Sequence, residues 1–466
     1  MPPKLALLLF SSFVIYILVR DLINRREAVS IATVIPLIWV LIMGSRMVSY
    51  WVSLDASKDV SMYSEGSPLD RTVFLVLIVW GVIILLRRPL DWSTIVAQNK
   101  AIFLLFGFFL LSVLWSDFPF VAFKRWIKNI GNIVMILILM TERSPQESIK
   151  SILTRTGYVL IPFSVLIIKY FPEYGRFYHI HTYEMMVSGV AGNKNALGVT
   201  VMVVLIYFIW MLIERIKNRE FVKPKQDVAI ELLIIVMAIW LLDLANSATA
   251  QMSFFIGLFV LLTVELPLIK KTIANLRWNF LGLLSISLPF VWLSFNSLVN
   301  TVLDAAGRDD TFWGRVELWK DLIDMGSASP VVGAGFASFW LGPRMAELWS
   351  KYWWGPTQAH NGYVEIYLDL GVVGLVLYAS AILLSFKYIE KLLNAQFAFG
   401  KLRLAFFVLP FFYNITEAAV NGLHLVWFMW LLTMFETHNY YSRHDRSNAR
   451  IFDRIKQLRH AGVASS

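Results

Sequence analysis

The side chains most able to do chemistry lie in one polar interval, residues 300–361, between two long apolar segments. The interval contains Arg308 and Arg315 and ends at His360. Guanidinium groups stay charged and hold two oxygens of an anion in a fork. A neutral imidazole accepts a proton near physiological pH. The interval therefore supplies candidate anion-binding groups and a candidate general base.

Each of these residues also has a structural interpretation. His360 directly precedes an apolar segment, where the positive end of a helix dipole would keep the imidazole neutral. The alternative is a histidine that hydrogen-bonds loop backbone at a helix cap. For Arg308 and Arg315 the alternatives are lipid headgroup contacts or salt bridges to neighbouring acidic residues, which are Asp309, Asp310 and Glu317.

The composition indicates a membrane protein. Of the 466 residues, 58% are hydrophobic and 16% charged, whereas soluble domains carry about a quarter charged residues. The apolar residues form blocks long enough to cross a bilayer, and continuous apolar blocks span it as helices. We expect an all-α polytopic membrane protein with about 12 or 13 transmembrane helices and one large outward loop containing short helices. The chain has no cysteine, which excludes disulfides and thiolate metal sites.

The apolar blocks give the candidate spans, and the basic residues give their orientation. The candidate spans are 5–19, 28–44, 72–86, 101–115, 129–140, 152–170, 191–213, 228–244, 250–268, 279–298, 362–386, 402–418 and 420–435. Lys and Arg concentrate in one alternate set of short loops and in the tail, which the positive-inside rule places in the cytoplasm. This distribution explains the net charge of +10 without a nucleic-acid partner.

The same orientation defines four regions. Residues 1–299 form N-terminal transmembrane helices, and the large loop of 300–361 faces the periplasm or cell exterior. Residues 362–441 form C-terminal transmembrane helices, and 442–466 are a basic cytoplasmic tail.

The large loop has its own predicted elements. Apolar spacing predicts a short helix from Thr311 to Met325 with a Trp-bearing face along the membrane surface. Ser329 to Phe336 is predicted to be a glycine-bearing turn, not a dinucleotide site, because no strand precedes it. Four tryptophans are interpreted as an interfacial belt, with a sugar-stacking platform as the alternative. They are Trp340, Trp349, Trp353 and Trp354.

These residues together resemble the O-antigen ligase and polymerase superfamily of the Wzy/WaaL type. The resembling motifs are Gly314-Arg315-x-x-Leu318-Trp319, Pro330-x-x-Gly333-x-Gly335 and His360-Asn361-x-Tyr363-x-Glu365. Further stretches are most similar to ExoQ-type exopolysaccharide polymerases. They are Trp115-Ser116-Asp117-Phe118-Pro119, Gly192-Asn193-Lys194-Asn195-Ala196-Leu197-Gly198 and Gly307-Arg308-Asp309.

The resemblance implies a metal-independent, cofactor-free glycosyltransferase of the GT-C type in the bacterial cytoplasmic (inner) membrane. It would polymerise oligosaccharide repeat units carried on polyprenyl diphosphate, at the outer face of the bilayer. The resemblance implies that His360 and Arg315 are catalytic. The candidate substrate-binding residues are Arg308, Arg176, Arg125, Lys194, Asn193 and Asn361. A chain-length regulator protein is a candidate partner.

The sequence departs from the family pattern at one turn. Many ligases of this group carry an arginine where this chain has Asn246-Ser247-Ala248-Thr249. We therefore expect the phosphate contact made there to come from Arg176, Lys194 or Arg125, with hydroxyls from Ser247 and Thr249.

Two alternative functions remain open. One is an O-antigen ligase of the same fold, which transfers finished glycan to a lipid or protein acceptor. The other is a transporter of lipid-linked oligosaccharide, which would carry charges along an interior pathway. Here the charges concentrate in outward loops, and spans 72–86 and 279–298 carry none.

Overall fold

The computed structural model describes residues 1–24, 29–52, 66–178, 183–218, 225–267, 309–420 and 422–436. These ranges are helical apart from connecting loops and turns and one two-stranded antiparallel sheet, β1 (Arg176–Tyr178) with β2 (Met185–Val187). The helices are α1 (Pro3–Asn24), α2 (Val34–Met43), α3 (Val48–Val52), α4 (Pro68–Leu86), α5 (Trp92–Gln98), α6 (Lys100–Leu111), α7 (Pro119–Met140), α8 (Pro145–Tyr170), α9 (Pro172–Gly175), α10 (Lys194–Lys217), α11 (Lys225–Ala245), α12 (Ala248–Thr263), α13 (Asp309–Gly326), α14 (Gly342–Lys351), α15 (Gly362–Ala395), α16 (Phe397–Thr416) and α17 (Leu425–Met434).

The helices confirm an all-α polytopic membrane protein. In the described ranges, seven helices are long and apolar enough to cross a membrane, or eight if α5 and the helix after it, bent by 88°, form one span. Three shorter apolar helices of 10–17 residues accompany them. Each candidate span has a helical counterpart except 279–298, which lies outside the described residues, as does the tail of 442–466.

The central helix of the bundle is α10, which packs against α8, α11, α12, α16 and α17. Its residues from Leu197 to Phe208 are buried. A helix that is apolar all round needs neighbours all round, and these neighbours surround its N-terminal half.

The fifth span is longer than expected. The spans expected from the sequence leave residues 116–128 as a loop, but α7 begins at Pro119 and includes most of them. Pro is favoured at the first helical position, because its missing N–H is not needed there. The basic side chains of this segment find partners: Arg125 donates to the Ala337 carbonyl, and the Lys128 ammonium lies 6.0 Å from the Phe74 ring centroid.

Helix α15 is broken at Gly371, where φ is 63° and ψ is −162°. The predicted turn lies in this break. The amides of Val372 and Val373 donate to the carbonyls of Pro330 and Val331 at 2.9 and 3.0 Å. The backbone groups freed by the break are thereby satisfied within the protein, as non-helical backbone at membrane depth requires.

The same turn also bonds to the helix before the break. Ala334 and Gly335 donate to the carbonyls of Leu368 and Asp369 at 2.9 and 2.8 Å. The Gly-x-Gly segment is therefore the turn that the sequence predicted, and it fits into a break in α15 that the sequence did not predict.

The large loop has its own apolar core. Leu318, Trp319 and Leu322 of α13 are buried. They belong to a cluster with Phe339, Trp340, Leu348, Tyr352, Ala359 and Leu368. The predicted helix is therefore present, but protein rather than a membrane surface covers its Trp-bearing face.

Candidate active site around Glu417, His360 and Arg315

A buried carboxylate at the end of α16 joins several parts of the chain. The Glu417 side chain is 7% exposed, and its Oε2 lies 3.1 Å from Nδ1 of His360. Its Oε1 accepts a hydrogen bond from the Asn195 amide at 3.1 Å and lies 3.7 Å from an Arg315 guanidinium nitrogen. A carboxylate only accepts hydrogen bonds, so Nδ1 of His360 contacts it as a donor when that nitrogen carries the proton.

The backbone around His360 is held close to this carboxylate. The Gly362 amide donates to the Glu417 carbonyl at 3.1 Å. A Cβ at Gly362 would lie 2.4 Å from Oδ1 of Asn414, so only glycine lets the start of α15 approach the end of α16 so closely. His360 itself has φ of 50°, a left-handed conformation uncommon outside glycine. Such local strain clusters at functional sites.

Asn361 has a defined structural role. Its side-chain oxygen accepts from the amides of Tyr363 and Val364 at 3.0 and 3.1 Å, which makes it the N-cap of α15. The sequence suggested substrate binding by Asn361. The structure shows that its oxygen is already engaged in starting the helix that carries His360.

Arg315 reaches the cluster from α13 in the large loop. One guanidinium nitrogen donates to the Thr416 carbonyl at 2.6 Å. The Thr416 hydroxyl lies 2.8 Å from that of Thr249, at the start of α12. Thr416 therefore links Arg315 to the turn 246–249, the turn at which this chain lacks the arginine of many ligases.

Three helices begin at this cluster: α10, α12 and α15. Asn193 caps α10 by accepting from the Ala196 amide at 2.8 Å, and Lys194 is the first helical residue, directly before Asn195. Helix N-termini carry partial positive charge and bind anions. Arg315, Lys194 and the helix ends thus make a positive environment around one buried carboxylate.

The remaining sequence-predicted site residues have other positions. Arg125 bonds the Ala337 carbonyl, and Arg176 in β1 donates to the Ile168 carbonyl at 3.0 Å. Arg308 lies outside the described residues. No group of three or more His, Asp or Glu side chains in the described ranges could hold a metal ion.

The four loop tryptophans differ in exposure. Trp340 is buried and donates to the Glu365 carboxylate at 2.9 Å, so it belongs to the loop's core. Trp349 donates to the Pro356 carbonyl at 2.9 Å. Trp353 and Trp354 are exposed, and the Trp354 ring lies 6.2 Å from that of His360.

The residue that the sequence did not assign is Glu417. The available signal was an ionisable residue at the end of an apolar span, which is costly in lipid and marks functional sites. Its partners are 222 and 57 positions away along the chain, so spacing could not reveal them.

Comparisons with known proteins bear on the kind of protein this chain resembles. Residues 232–379 match a family described as "Wzy_C: O-Antigen ligase". The chain is also 24% identical over 311 residues to the "Exopolysaccharide production protein ExoQ" of Rhizobium meliloti (strain 1021), covering 64% of this chain and 67% of that protein. The two matches confirm the resemblance to the O-antigen ligase and polymerase superfamily, and to ExoQ within it. They support ligase or polymerase activity on O-antigen or exopolysaccharide.

Proposed function

We propose that the protein polymerises oligosaccharide repeat units carried on polyprenyl diphosphate, with His360 as base and Arg315 as a diphosphate ligand. The observation that carries this proposal is the placement of Glu417 between these two residues. Lys and Arg concentrate in every other loop, and the loop that carries His360 and Arg315 belongs to the opposite set. This supports an active site at the outer face of the bacterial cytoplasmic membrane.

Glu417 would set the tautomer of His360. The carboxylate accepts a hydrogen bond from Nδ1–H, which holds the proton on Nδ1 and leaves the lone pair on Nε2. This is the role of the acidic member in a Ser-His-Asp triad, which orients the imidazole and stabilises its protonated form. Nε2 would then accept the proton of the acceptor sugar hydroxyl, a contribution of about 10²- to 10⁴-fold in rate.

Arg315 would stabilise the leaving group. One of its nitrogens is engaged by the Thr416 carbonyl, which fixes the guanidinium plane while other N–H groups remain for phosphate oxygens. The beginnings of α10, α12 and α15 add partial positive charge on the same side. We propose that Lys194 and Asn193 contact the diphosphate here, and that Arg308 is a further diphosphate ligand. We assign Arg125 and Arg176 to contacts with more distant parts of the substrate.

The reaction is a single displacement. The acceptor hydroxyl oxygen forms a bond to the anomeric carbon as the bond from that carbon to the diphosphate oxygen breaks. The hydroxyl proton passes to Nε2 of His360, and the electron pair leaves on the polyprenyl diphosphate. The anomeric configuration is inverted, because no covalent glycosyl-enzyme forms.

Transfer of finished glycan by a ligase is the second candidate, favoured by the description of the matching family. A deletion strain separates the two. Loss of long polymer with single repeat units retained identifies a polymerase. Full-length polymer that stays on its lipid carrier identifies a ligase.

The test of the site uses that strain. His360→Ala and Arg315→Ala should fail to restore polymer, while Lys320→Ala should restore it, because Lys320 is exposed on the same helix as Arg315. Membrane insertion of each variant is checked by extraction and size-exclusion chromatography. Polymer at parental levels from either site variant would overturn the proposal.

A further inference from the structure

The chain makes a tight turn at residues 352–355, just before His360. The Gly355 amide donates to the Tyr352 carbonyl at 3.0 Å, and Gly355 has φ of 61°. Trp353 and Trp354 are therefore the two corner residues of a β-turn. Corner positions favour small or polar residues, so two indoles there need another reason.

The turn is anchored on both sides. The Tyr352 hydroxyl donates to the Asp321 carboxylate at 2.6 Å, and Lys351 pairs with the same carboxylate at 2.5 Å. The hydrogen bonds from Lys351 and Tyr352 lower the pKa of the Asp321 carboxyl, which keeps it ionised. On the other side, Trp349 donates to the Pro356 carbonyl at 2.9 Å. The turn is thus tied to α13 and α14.

Anchoring fixes the position of Trp354. Its ring lies edge-on to Tyr352 at 6.1 Å and 6.2 Å from the imidazole of His360. The residue nevertheless keeps 36% of its surface exposed. An anchored indole with open surface beside a base is arranged to hold whatever the base acts on.

We propose that Trp354 is the platform for the acceptor sugar, against which a pyranose ring stacks with a hydroxyl directed at His360. The C–H groups on one face of a sugar carry partial positive charge, and the negative face of an aromatic ring attracts them. This inference rests on the proposed role of His360 as the base. It selects Trp354 from the four tryptophans for which the sequence left sugar stacking as an alternative, and assigns it to the acceptor.

A membrane-interface role would favour the neighbouring tryptophan. Trp353 is 73% exposed, twice the exposure of Trp354, so it offers more indole to a headgroup layer. Trp353 therefore serves as the matched control. Headgroup anchoring predicts the larger effect from Trp353→Ala, while sugar stacking predicts it from Trp354→Ala.

The test measures binding without turnover. The probe is the repeat-unit oligosaccharide released from its lipid by mild acid, which lacks the diphosphate and cannot react as donor. Isothermal titration calorimetry follows its binding to the protein in nanodiscs. Trp354→Ala should weaken binding about five- to tenfold, the size expected for one aromatic contact. Trp354→Phe should retain most of the affinity, and Trp353→Ala should leave it unchanged.

Three results would overturn the subsite. They are binding to Trp354→Ala as tight as to the parent, an equal loss in Trp353→Ala, and no binding to the parent at all. None of these bears on whether His360 and Arg315 variants make polymer, so the two proposals fail separately.

A kinetic measurement gives a second test of the subsite. Trp354→Ala should raise the KM of a soluble acceptor at nearly constant kcat. A fall in kcat alone would mean that Trp354 acts through His360, and would contradict stacking.

Discussion

Oε2 of Glu417 lies 3.1 Å from Nδ1 of His360, although 57 positions separate the two residues in the chain. The contact joins the end of one transmembrane helix to the residue that precedes another. It leaves Nε2 as the nitrogen available to a substrate, and gives Glu417 a role that can be tested apart from folding.

Glu417→Gln should abolish most activity while keeping the shape of the site. Asn195 donates to Oε1, so a glutamine would keep its oxygen there and present its NH₂ group to His360. The imidazole would then carry its proton on Nε2, the wrong tautomer for a base. We expect a loss of about 100-fold or more in the rate of polymer formation.

The control for this variant is Glu317→Gln, because Glu317 is an exposed carboxylate on the same helix as Arg315. The rate is measured in proteoliposomes with lipid-linked repeat units. Equal rates for parent and Glu417→Gln would show that Glu417 does not orient His360.

Arg315→Lys should distinguish a forked phosphate contact from simple charge. Lysine keeps the charge but lacks the planar fork that can hold two phosphate oxygens while another N–H donates to the Thr416 carbonyl. We expect a partial loss for lysine, and a loss of about 10²- to 10³-fold for Arg315→Ala. Added polyprenyl diphosphate should inhibit through the same contact. Its inhibition should be weaker in Arg315→Lys than in the parent, and weakest in Arg315→Ala. Unchanged inhibition in both variants would remove Arg315 from the leaving-group site.

Two substitutions at Asn361 distinguish a role as helix cap from a role in substrate binding. Asn361→Ser keeps a cap acceptor and should retain most activity and thermal stability. Asn361→Ala should lower the free energy of unfolding by about 0.5–2 kcal/mol. Thermal unfolding in detergent, followed by tryptophan fluorescence, makes the comparison. If Asn361→Ser is stable but inactive, the carboxamide contacts substrate as well.

Gly371→Ala should prevent stable folding. A Cβ there would lie 2.3 Å from the Val331 backbone, and φ of 63° with ψ of −162° is accessible essentially to glycine alone. Strain of about 1–3 kcal/mol adds to that clash. Gly107→Ala is the control, because Gly107 lies inside α6 with no neighbour within 4 Å of an added Cβ. Fluorescence-detected size-exclusion chromatography should show a monodisperse control and an aggregated Gly371→Ala variant. Equal profiles would show that the break in α15 accepts a side chain at position 371.

The sequence was informative where the signal is local. Apolar blocks located the helices, and the spacing around Trp319 predicted α13, because periodicity reports the buried face of a helix directly. The periodicity did not show whether lipid or protein covers that face. Lipid and the loop's own core are both apolar, so the pattern fits either one.

The candidate site was partly predictable for the same reason. His360 and Arg315 stand out by type in a polar loop. Glu417 and Asn195 do not, because their importance comes from contacts between distant segments. The broken helix at Gly371 was also missed: an isolated glycine in an apolar run fits an unbroken helix equally well.

The most direct measurement compares His360→Ala with the double variant His360→Ala/Glu417→Gln. Both are reconstituted in proteoliposomes with a defined polyprenyl-diphosphate oligosaccharide, and glycosidic bond formation is measured. We predict that His360→Ala loses about 100-fold or more in rate, and that adding Glu417→Gln costs little further, because Glu417 acts through His360. Bond formation by inserted His360→Ala at the parental rate would contradict the proposed active site.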